Sequence, residues 1–423
     1  MTTGPFLTRV VLRNYKSIAH CDVRLEPLTY LVGPNGAGKS NFLDALHFVG
    51  DALSGTLENA LNRRGGISEV RRRSGGRPNH FGIRLEFRMR DNRTGYYVFK
   101  VGALSEGAYE VQAEECSIGG EGKGPFFRVE QGKVFKTSEA TFPAVMADRL
   151  SLVSASGLPA FRPVFDALTT MGFYNIHPKL IREPQNPQDG RFLKPAGENI
   201  VSVIGHLERT APESLQIILE YLQTVVPMIH GVKRHRFGPM ETLTFSQQAI
   251  QSTVRQPKKE MVTFSQQDEA DAKDPWSFTA QNMSDGTLRA LGILTALFQG
   301  NRDYVPTLIG IEEPETALHP GASGALGEAL QRASEKTQVI VTSHSPDLLD
   351  DMALPMESLL AVAADDDGNT RLAPPDEGSR KAARDRLFSP GELLHLDQLE
   401  PDPAAIREQE KSRQLDLFGE WEP

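Results

Sequence analysis

Hydrophobic and polar positions alternate over much of residues 6–32, which predicts two or three β-strands at the start of the chain. Apolar residues at helical spacing then predict a helix over residues 41–54. Alternation returns in residues 81–90 and 94–104, which predicts an antiparallel pair with more strands up to about residue 136. The chain therefore opens with sheet, a helix and more sheet.

The second half of the chain has a different pattern. It is weak over residues 137–190, where several prolines predict short helices and loops, whereas residues 198–229 predict two helices. Residues 285–343 predict helix, strand, helix and strand, the alternation of a parallel sheet. Residues 359–373 predict a hairpin with a polar turn, and the charged, proline-rich last forty residues predict a partly disordered tail.

Composition narrows the class of protein. The 423 residues carry a net charge of −9, with 39% hydrophobic and 24% charged residues, which is ordinary for a globular protein. We expect no membrane span and no leader, and the two cysteines favour a reducing cytoplasm. The acidic balance argues against a protein that coats nucleic acid all over, although a local basic stripe can still bind phosphates.

A glycine-rich loop is the strongest chemical signal. Residues 33–40, GPNGAGKS, match G-x-x-x-x-G-K-[ST] between a predicted strand and a predicted helix. In this pattern backbone N–H groups converge on phosphate oxygens, Lys39 reaches the β- and γ-phosphates of ATP, and the Ser40 hydroxyl binds Mg²⁺. The alternative, a chance glycine turn, does not explain the strand and helix on either side. The predicted nucleotide contacts here are Asn35, Gly36, Ala37, Gly38, Lys39, Ser40 and Asn41.

Two apolar strands end in residues suited to phosphate chemistry. The strand within residues 307–320 ends in Glu312, predicted to hold Mg²⁺ through water, and Glu313, predicted to be the general base. The strand within residues 338–350 ends next to His344, which is placed to sense the γ-phosphate or the water. Taken alone, the two glutamates are also consistent with a strand that runs into a solvated acidic turn, and His344 is also consistent with a structural role. Together, at strand ends, they favour a ligand site.

A third feature precedes the strongly apolar helix predicted within residues 281–298. Ser284 or Asp285 is suited to cap this helix, and its N-terminus is a second candidate anion site. Taken alone, a simple capped helix is the better interpretation.

The order of these motifs resembles that of the ATP-binding cassette (ABC) ATPases of the RecF, SMC and OLD type. GPNGAGKS resembles Walker A, MSDGTLR the signature, GIEEPETALHP Walker B with the D-loop, and VTSHSP the switch histidine. NYKS resembles the segment that lies against the adenosine, which implicates Lys16 and Ser17. In that family two heads sandwich two ATP molecules. The resemblance therefore implies a homodimer in which Ser284 and Gly286 contact the γ-phosphate bound to the other subunit.

The resemblance also implies the fold class and its division along the chain. We expect an α/β P-loop ABC-type ATPase head with a mixed or parallel sheet, an N-terminal antiparallel β subdomain and a mixed α+β insertion. The residues between the glycine-rich loop and the signature have no heptad pattern, so we expect no coiled-coil arm. The expected segments are 1–136, the N-terminal half of the head; 137–238, a mainly helical insertion; 239–360, the C-terminal half of the head; and 361–423, a hairpin and flexible tail.

Some positions depart from the family pattern. Glu312 stands where many relatives have aspartate, as in the OLD-type group, and His319 stands where a D-loop aspartate often lies. The Q-loop glutamine has two candidates, Gln185 and Gln188. The run DDD at 365–367 invites comparison with a Toprim nuclease domain, but a hairpin turn is the better interpretation. We therefore expect an ATPase without its own nuclease.

Two further features indicate macromolecular partners. An arginine cluster after the P-loop helix has the footprint of a DNA contact, with a solvated loop or an acidic protein partner as alternatives. Its members are Arg63, Arg64, Arg71, Arg72, Arg73 and Arg77. The tail sequence QLDLF resembles the peptide by which bacterial proteins dock on the polymerase sliding clamp; the alternative is a terminal segment that packs on its own domain. Its residues are Gln414, Leu415, Asp416, Leu417 and Phe418.

The function expected from the sequence is Mg²⁺-dependent ATP hydrolysis in the cytoplasm, by a protein that dimerises around ATP in a DNA-linked process. Anti-phage defence or DNA repair, with a separate effector such as a nuclease, is the setting that the resemblance implies. The alternative is a nucleotide-gated scaffold or regulatory subunit with little ATP turnover. A transporter motor is disfavoured because its signature usually reads SGGQ.

Overall fold

The computed structural model describes residues 6–72, 78–119, 124–247, 276–300, 305–351, 354–412 and 417–418. The strands are β1 Leu7–Tyr15, β2 Ile18–Arg24, β3 Leu28–Val32, β4 His80–Arg88, β5 Thr94–Ala103, β6 Tyr109–Ile118, β7 Phe126–Glu130, β8 Lys133–Thr137, β9 Gly172–Tyr174, β10 Ile229–Phe237, β11 Met240–Gln247, β12 Trp276–Thr279, β13 Leu308–Glu312, β14 Gln338–Ser343, β15 Leu359–Ala364 and β16 Thr370–Ala373. The helices are α1 Lys39–Ser54, α2 Leu57–Asn62, α3 Ile67–Val70, α4 Ser151–Ala155, α5 Arg162–Thr169, α6 Pro178–Arg182, α7 Ile200–Thr210, α8 Pro212–Val225, α9 Asp285–Phe298, α10 Ser323–Ser334, α11 Pro346–Leu349, α12 Glu377–Arg384, α13 Pro390–His395 and α14 Pro403–Ser412. Within these ranges no helix combines the length and the apolar character needed to cross a bilayer.

The chain forms two compact units. The first comprises Met1–Asn175, Tyr304–Thr316 and Leu326–Pro423, and the second comprises Ile176–Asp303 and Ala317–Ala325. The boundaries of these two units differ from those of the four segments expected from the sequence.

The first unit contains two sheets. One is antiparallel throughout, in the order β2-β1-β4-β5-β6-β7-β8. The other has the order β16-β15-β3-β14-β13-β9, in which all neighbours are parallel except the edge strand β16. The predicted antiparallel pair, the parallel alternation and the C-terminal hairpin are thus confirmed. In the second sheet β3, β14 and β13 are adjacent, so the motifs at their carboxyl ends meet at one edge.

Helix α1 is held in a core that includes side chains from both sheets. Phe48, fully buried, lies with its ring centroid 5.5 Å from that of Phe81 and 6.0 Å from that of Tyr15, in edge-to-face arrangements. Such pairs add about 0.5–1.5 kcal/mol each to the burial of the rings. The packing anchors the helix whose first turn follows the glycine-rich loop.

The second unit is built around α9, which is buried on nearly every side from Thr287 to Leu297. Helices α6, α7 and α8 contact it, and β10, β11 and β12 form an antiparallel sheet in the same unit. The guanidinium of Arg289 donates through Nη1 to the carbonyl of Ile176 at 2.7 Å, which gives this buried charged group a hydrogen-bond acceptor inside the apolar packing.

Three helices follow the hairpin among the described residues, and two of them, α13 and α14, lie within the last forty residues, where the sequence predicts a partly disordered tail. Asp376 caps α12 by accepting from the backbone N–H groups of Gly378 and Ser379. Ser389 and Glu392 form a reciprocal capping box at the start of α13. Charge and proline content suggested disorder, whereas these capping side chains satisfy the helix ends locally.

Candidate functional site

The loop between β3 and α1 requires its glycines. Gly36 and Gly38 have φ of +80° and +103°, in the left-handed region that disfavours side chains. At Gly38 a Cβ atom would lie 1.9 Å from the hydroxyl oxygen of Thr370, the first residue of β16. Thr370 also donates to the carbonyl of Ala37 at 2.8 Å. The C-terminal hairpin therefore braces the glycine-rich loop.

Lys39 folds back on this loop. Its side chain is buried, and the ammonium donates to the carbonyls of Gly33 at 2.7 Å and Pro34 at 3.0 Å. Burial lowers the pKa of Lys39, and the charges of Glu313 and Glu315 oppose that effect in part. A phosphate would offer the ammonium a charged acceptor in place of two neutral carbonyls, which favours an exchange of partners.

Ser40 and Glu312 form a direct contact. The Ser40 hydroxyl donates to Oε2 of Glu312 at 2.9 Å. Burial raises the pKa of Glu312, and the Ser40 hydrogen bond works against it. In the described part of the chain, no group of three or more His, Cys, Asp or Glu side chains forms a complete metal cage. Two hard oxygen donors instead fit Mg²⁺, which usually keeps water and phosphate oxygens as its other ligands.

Glu313 and His344 come together because their strands are parallel neighbours in register, with Glu312 opposite Thr342. Glu313 has φ of +42°, a strained value for a side chain of this size, and its N–H donates to the Thr342 carbonyl at 3.0 Å. Its Oε1 lies 3.4 Å from Nδ1 of His344, and the two side chains are 38% and 40% exposed. The structure thus brings the predicted base and histidine side by side, within reach of water.

Glu315, to which the sequence motifs assign no role, lies at the same edge. Its side chain is only 8% exposed. Oε1 accepts hydrogen bonds from the Ser343 hydroxyl at 2.7 Å and from the His344 N–H at 3.2 Å. The only signal in the sequence is a further acid shortly after Glu313 in EEPE, and nothing local shows that it faces β14.

The segment before β2 also reaches α1. Lys16 forms an ion pair with Asp44 at 2.6 Å. The side chain of Asn41 donates to the Ser17 hydroxyl at 2.7 Å, and that hydroxyl lies 2.6 Å from the hydroxyl of Thr370. Because Thr370 donates to Ala37, we infer that Ser17 donates to Thr370. Lys16, Ser17 and Asn41 are therefore grouped beside the loop.

Ser284 and Gly286 belong to the second unit, at the start of α9. The exposed Ser284 caps the helix by accepting from the Thr287 N–H at 3.2 Å, which confirms the predicted cap. A Cβ at Gly286 would lie 2.6 Å from the Ala317 carbonyl oxygen. Asp285 forms an ion pair with Arg182.

The Q-loop candidates have other roles. Gln185 is buried, donating to the Leu180 carbonyl at 2.9 Å and accepting from the Val201 N–H at 3.2 Å. Gln188 contacts the Ser202 hydroxyl through its backbone N–H. His319 accepts from the Gly321 N–H at 3.1 Å, as a local cap. These contacts give the Gln185 amide a structural role rather than a site role.

The acidic run at 365–367 lies in the turn between β15 and β16. Asp365 accepts from the Asn369 side chain at 3.0 Å and pairs with Arg371 at 3.0 Å. These contacts hold the turn, in agreement with the hairpin interpretation.

The described members of the arginine cluster differ in the exposure of their side chains and in their contacts. The Arg64 side chain is 7% exposed and pairs with Asp44 and Asp51 at 2.8 and 2.9 Å, so its predicted DNA contact is corrected to a structural role. Arg63 is 72% exposed. Of the others, Arg71 donates to the Pro78 carbonyl at 2.9 Å, Arg72 bonds to the Asn369 side chain, and Arg73 and Arg77 lie outside the described residues.

The clamp-like peptide is only partly described, because Gln414, Leu415 and Asp416 lie outside the described residues. Leu417 and Phe418 are buried, in a cluster with Val11, Tyr96 and Val98 of the antiparallel sheet. Arg84 donates to the Leu417 carbonyl at 3.2 Å, and the Arg128 guanidinium lies 5.5 Å from the centre of the Phe418 ring. These two residues therefore pack on their own domain, the alternative considered for this segment.

Comparisons with known proteins agree with this arrangement. Residues 197–350 match a family model described as an AAA domain, with a provisional assignment to the AbiEii toxin of a type IV TA system. Residues 9–143 match a second model, described as an AAA domain.

Similar curated proteins include the DNA replication and repair protein RecF of Vibrio vulnificus, 37% identical over 59 residues, or 14% of this chain and 16% of the relative. RecF of Erwinia tasmaniensis is 40% identical over 45 residues, or 10% of this chain and 12% of the relative. The matches thus cover a small part of these relatives' length.

Two solved structures share the fold. An SMC head bound to the C-terminal winged-helix domain of ScpA is 13% identical, with a TM-score of 0.52 over 87% of this chain and 97% of that chain. An SMC head with an extended coiled coil, bound to the C-terminal domain of ScpA derived from Pyrococcus furiosus, is also 13% identical. It has a TM-score of 0.50 over 90% of this chain and 99% of that chain. With the ordered motifs at the site, these findings support an ABC-type ATPase of the RecF/SMC/OLD-like group.

Proposed function

We propose that this chain binds ATP with Mg²⁺ at residues 33–40 and hydrolyses it. The supporting observation is the shared edge, where Ser40 contacts Glu312 at 2.9 Å and Glu313 lies 3.4 Å from His344. This edge is the carboxyl end of a parallel sheet beside the N-terminus of a helix, where open α/β sheets bind phosphate ligands.

Each residue of the edge has a role in this proposal. The loop N–H groups and Lys39 bind the phosphates, with Lys16, Ser17 and Asn41 on the adenosine side. Ser40 and Glu312 would hold Mg²⁺, which supplies charge neutralisation on the phosphates when it is bound. Glu313 accepts the proton of the attacking water, and His344 orients that water or senses the γ-phosphate.

The proposed base is tested by Glu313→Gln, which removes the charge and retains the size. The exposed Glu328 of α10 provides a matched control, Glu328→Gln. We expect Glu313→Gln to bind ATP and to lose hydrolysis on the order of a hundredfold or more, whereas the control keeps wild-type turnover. Equal turnover in the two variants would overturn the assignment. A wild-type protein that binds ATP with negligible turnover would instead support a nucleotide-gated scaffold.

We also propose that two copies dimerise around ATP through Ser284 and Gly286. Ser284 is exposed, and its hydroxyl oxygen accepts from the Thr287 N–H at 3.2 Å within its own helix turn, so the hydroxyl hydrogen and the helix N-terminus can face a phosphate. Ser284→Asp retains a capping oxygen but repels a γ-phosphate, so loss of the dimer in this variant does not reflect loss of the cap. Sedimentation of Glu313→Gln with MgATP should show a dimer, and adding Ser284→Asp should leave the 46.6 kDa monomer. A monomer in both would overturn the proposal.

The setting that we propose is a DNA-linked process in the cytoplasm, anti-phage defence or DNA repair, with a separate effector. Support comes from the similarity to RecF, named as a DNA replication and repair protein, and from Arg63, which is 72% exposed and pairs with Asp51 at 3.2 Å. Phage plaque counts test the defence role in cells that carry the gene and its neighbours. Plaques should increase with Glu313→Gln and not with Glu328→Gln, and equal protection by both variants would contradict a role for hydrolysis. DNA binding should weaken with salt and with Arg63→Gln.

A further inference from the structure

Glu315 is a buried carboxylate with an uneven set of contacts. Its Oε1 accepts from both Ser343 and His344, as described above. Its Oε2 is buried and has no hydrogen-bond partner among the described residues. Burying Oε2 costs free energy because this unpaired oxygen loses its hydration. The hydrogen bonds of Oε1 have to offset that cost or serve the site. The contacts of Oε1 therefore need an explanation.

Those contacts connect two segments at the edge of the sheet. The backbone N–H of Glu313 already joins the acidic turn to Thr342, near the end of β14. Glu315 joins the same turn to the next two residues, Ser343 and His344, through a side-chain oxygen. The backbone that carries the His344 ring is thereby tied to the turn that carries Glu313, whose own φ of +42° is strained.

We propose that Glu315 is a positioning residue for the hydrolysis described under Proposed function, on which this inference rests. By accepting from the Ser343 hydroxyl and the His344 N–H, Glu315 holds the His344 ring beside the Glu313 carboxylate. The two groups that face the attacking water then keep their spacing of 3.4 Å. A small displacement of such groups is enough to slow a reaction strongly.

The proposal predicts different effects for two substitutions. Glu315→Ala removes the acceptor oxygen, whereas Glu315→Gln retains one acceptor oxygen without the charge. We expect Glu315→Ala to lower kcat for ATP roughly tenfold or more with KM within about twofold, and Glu315→Gln to restore kcat to within about threefold of wild type. Glu328→Ala, at an exposed site, is the control and should match wild type.

A second readout does not depend on turnover. In protein labelled at its ten histidines, the ring signal of His344, assigned with His344→Gln, should shift in Glu315→Ala and stay near its native position in Glu315→Gln. If Glu315→Ala does not fold, Ser343→Ala removes one of the two donors and should reproduce the loss of kcat and the shifted signal.

Two results would overturn the positioning role. One is an unchanged His344 signal in Glu315→Ala, and the other is a Glu315→Gln variant as impaired as Glu315→Ala, since the charge rather than the acceptor would then matter. If the wild type shows no hydrolysis above Glu313→Gln, the proposed function fails. The His344 signal alone then decides whether Glu315 positions the ring.

Discussion

Replacing Gly38 with alanine tests how the hairpin braces the glycine-rich loop. Two costs apply: a left-handed φ of +103°, and a Cβ that would lie 1.9 Å from the Thr370 hydroxyl oxygen and 2.9 Å from its Cβ and Cγ2. The backbone term is about 1–2 kcal/mol and overpacking about 1–3 kcal/mol, so Gly38→Ala should destabilise the protein by roughly 2–5 kcal/mol.

Gly36 provides the matched control for this substitution. Its φ is +80°, and a Cβ there would meet nothing within 4 Å. Gly36→Ala should therefore cost only the backbone term of about 1–2 kcal/mol. The assay is urea unfolding followed by far-UV circular dichroism, with MgATP affinity measured in parallel.

A second substitution isolates the steric term. Thr370→Ala removes the hydroxyl and methyl that crowd a Cβ at position 38 but leaves its own Cβ at 2.9 Å. Gly38→Ala and Thr370→Ala together should therefore cost less than the sum of the two single changes. Equal effects of Gly36→Ala and Gly38→Ala, or strict additivity with Thr370→Ala, would contradict a steric clash between a side chain at position 38 and Thr370.

Three further predictions concern the packing around the site. Arg64→Met should lower the free energy of unfolding in urea by about 3 kcal/mol, because it leaves Asp44 and Asp51 without a buried partner. Arg63→Met should lower it by at most about 1 kcal/mol. Similar losses in the two variants would contradict the structural role of Arg64. Burial raises the pKa of Asp44, but Arg64 and Lys16 outweigh it and hold that pKa below its ordinary value. Asp44 should therefore stabilise the fold above about pH 4, and this contribution should vanish as the pH falls through the lowered pKa. Asp44→Asn should flatten the acid side of a plot of unfolding free energy against pH. An unchanged plot would contradict this prediction. Phe418→Ala should cost about 3 kcal/mol because the ring is buried against the sheet, and a cost near zero would indicate a loosely held tail.

Local sequence patterns predict much of the site. The loop glycines, Lys39 and Ser40 follow from a short motif between a strand and a helix, and the meeting of Glu313 with His344 follows from two strands that end at one edge. These positions can be predicted because each depends on neighbours in the chain or on a simple topological rule.

The missed features depend on contacts distant in sequence. Thr370 packs against a loop more than three hundred residues earlier, and Glu315 faces a strand end that only the folded sheet brings near. Arg64 appears in the sequence as part of a basic cluster, but two aspartates of α1 enclose it. Leu417 appears as part of a docking peptide, yet it is buried on the antiparallel sheet. Patterns of charge and spacing do not show which side chains fill such positions.

The proposed binding of MgATP at residues 33–40 depends on Lys39. Isothermal titration of MgATP into wild type and Lys39→Ala measures this dependence, with Lys336→Ala, a change elsewhere in the first unit, as the control. Loss of a charge-assisted contact worth about 1.5–3 kcal/mol should weaken binding roughly tenfold to a hundredfold in Lys39→Ala and leave the control unchanged. Equal affinity in wild type and Lys39→Ala would contradict the account.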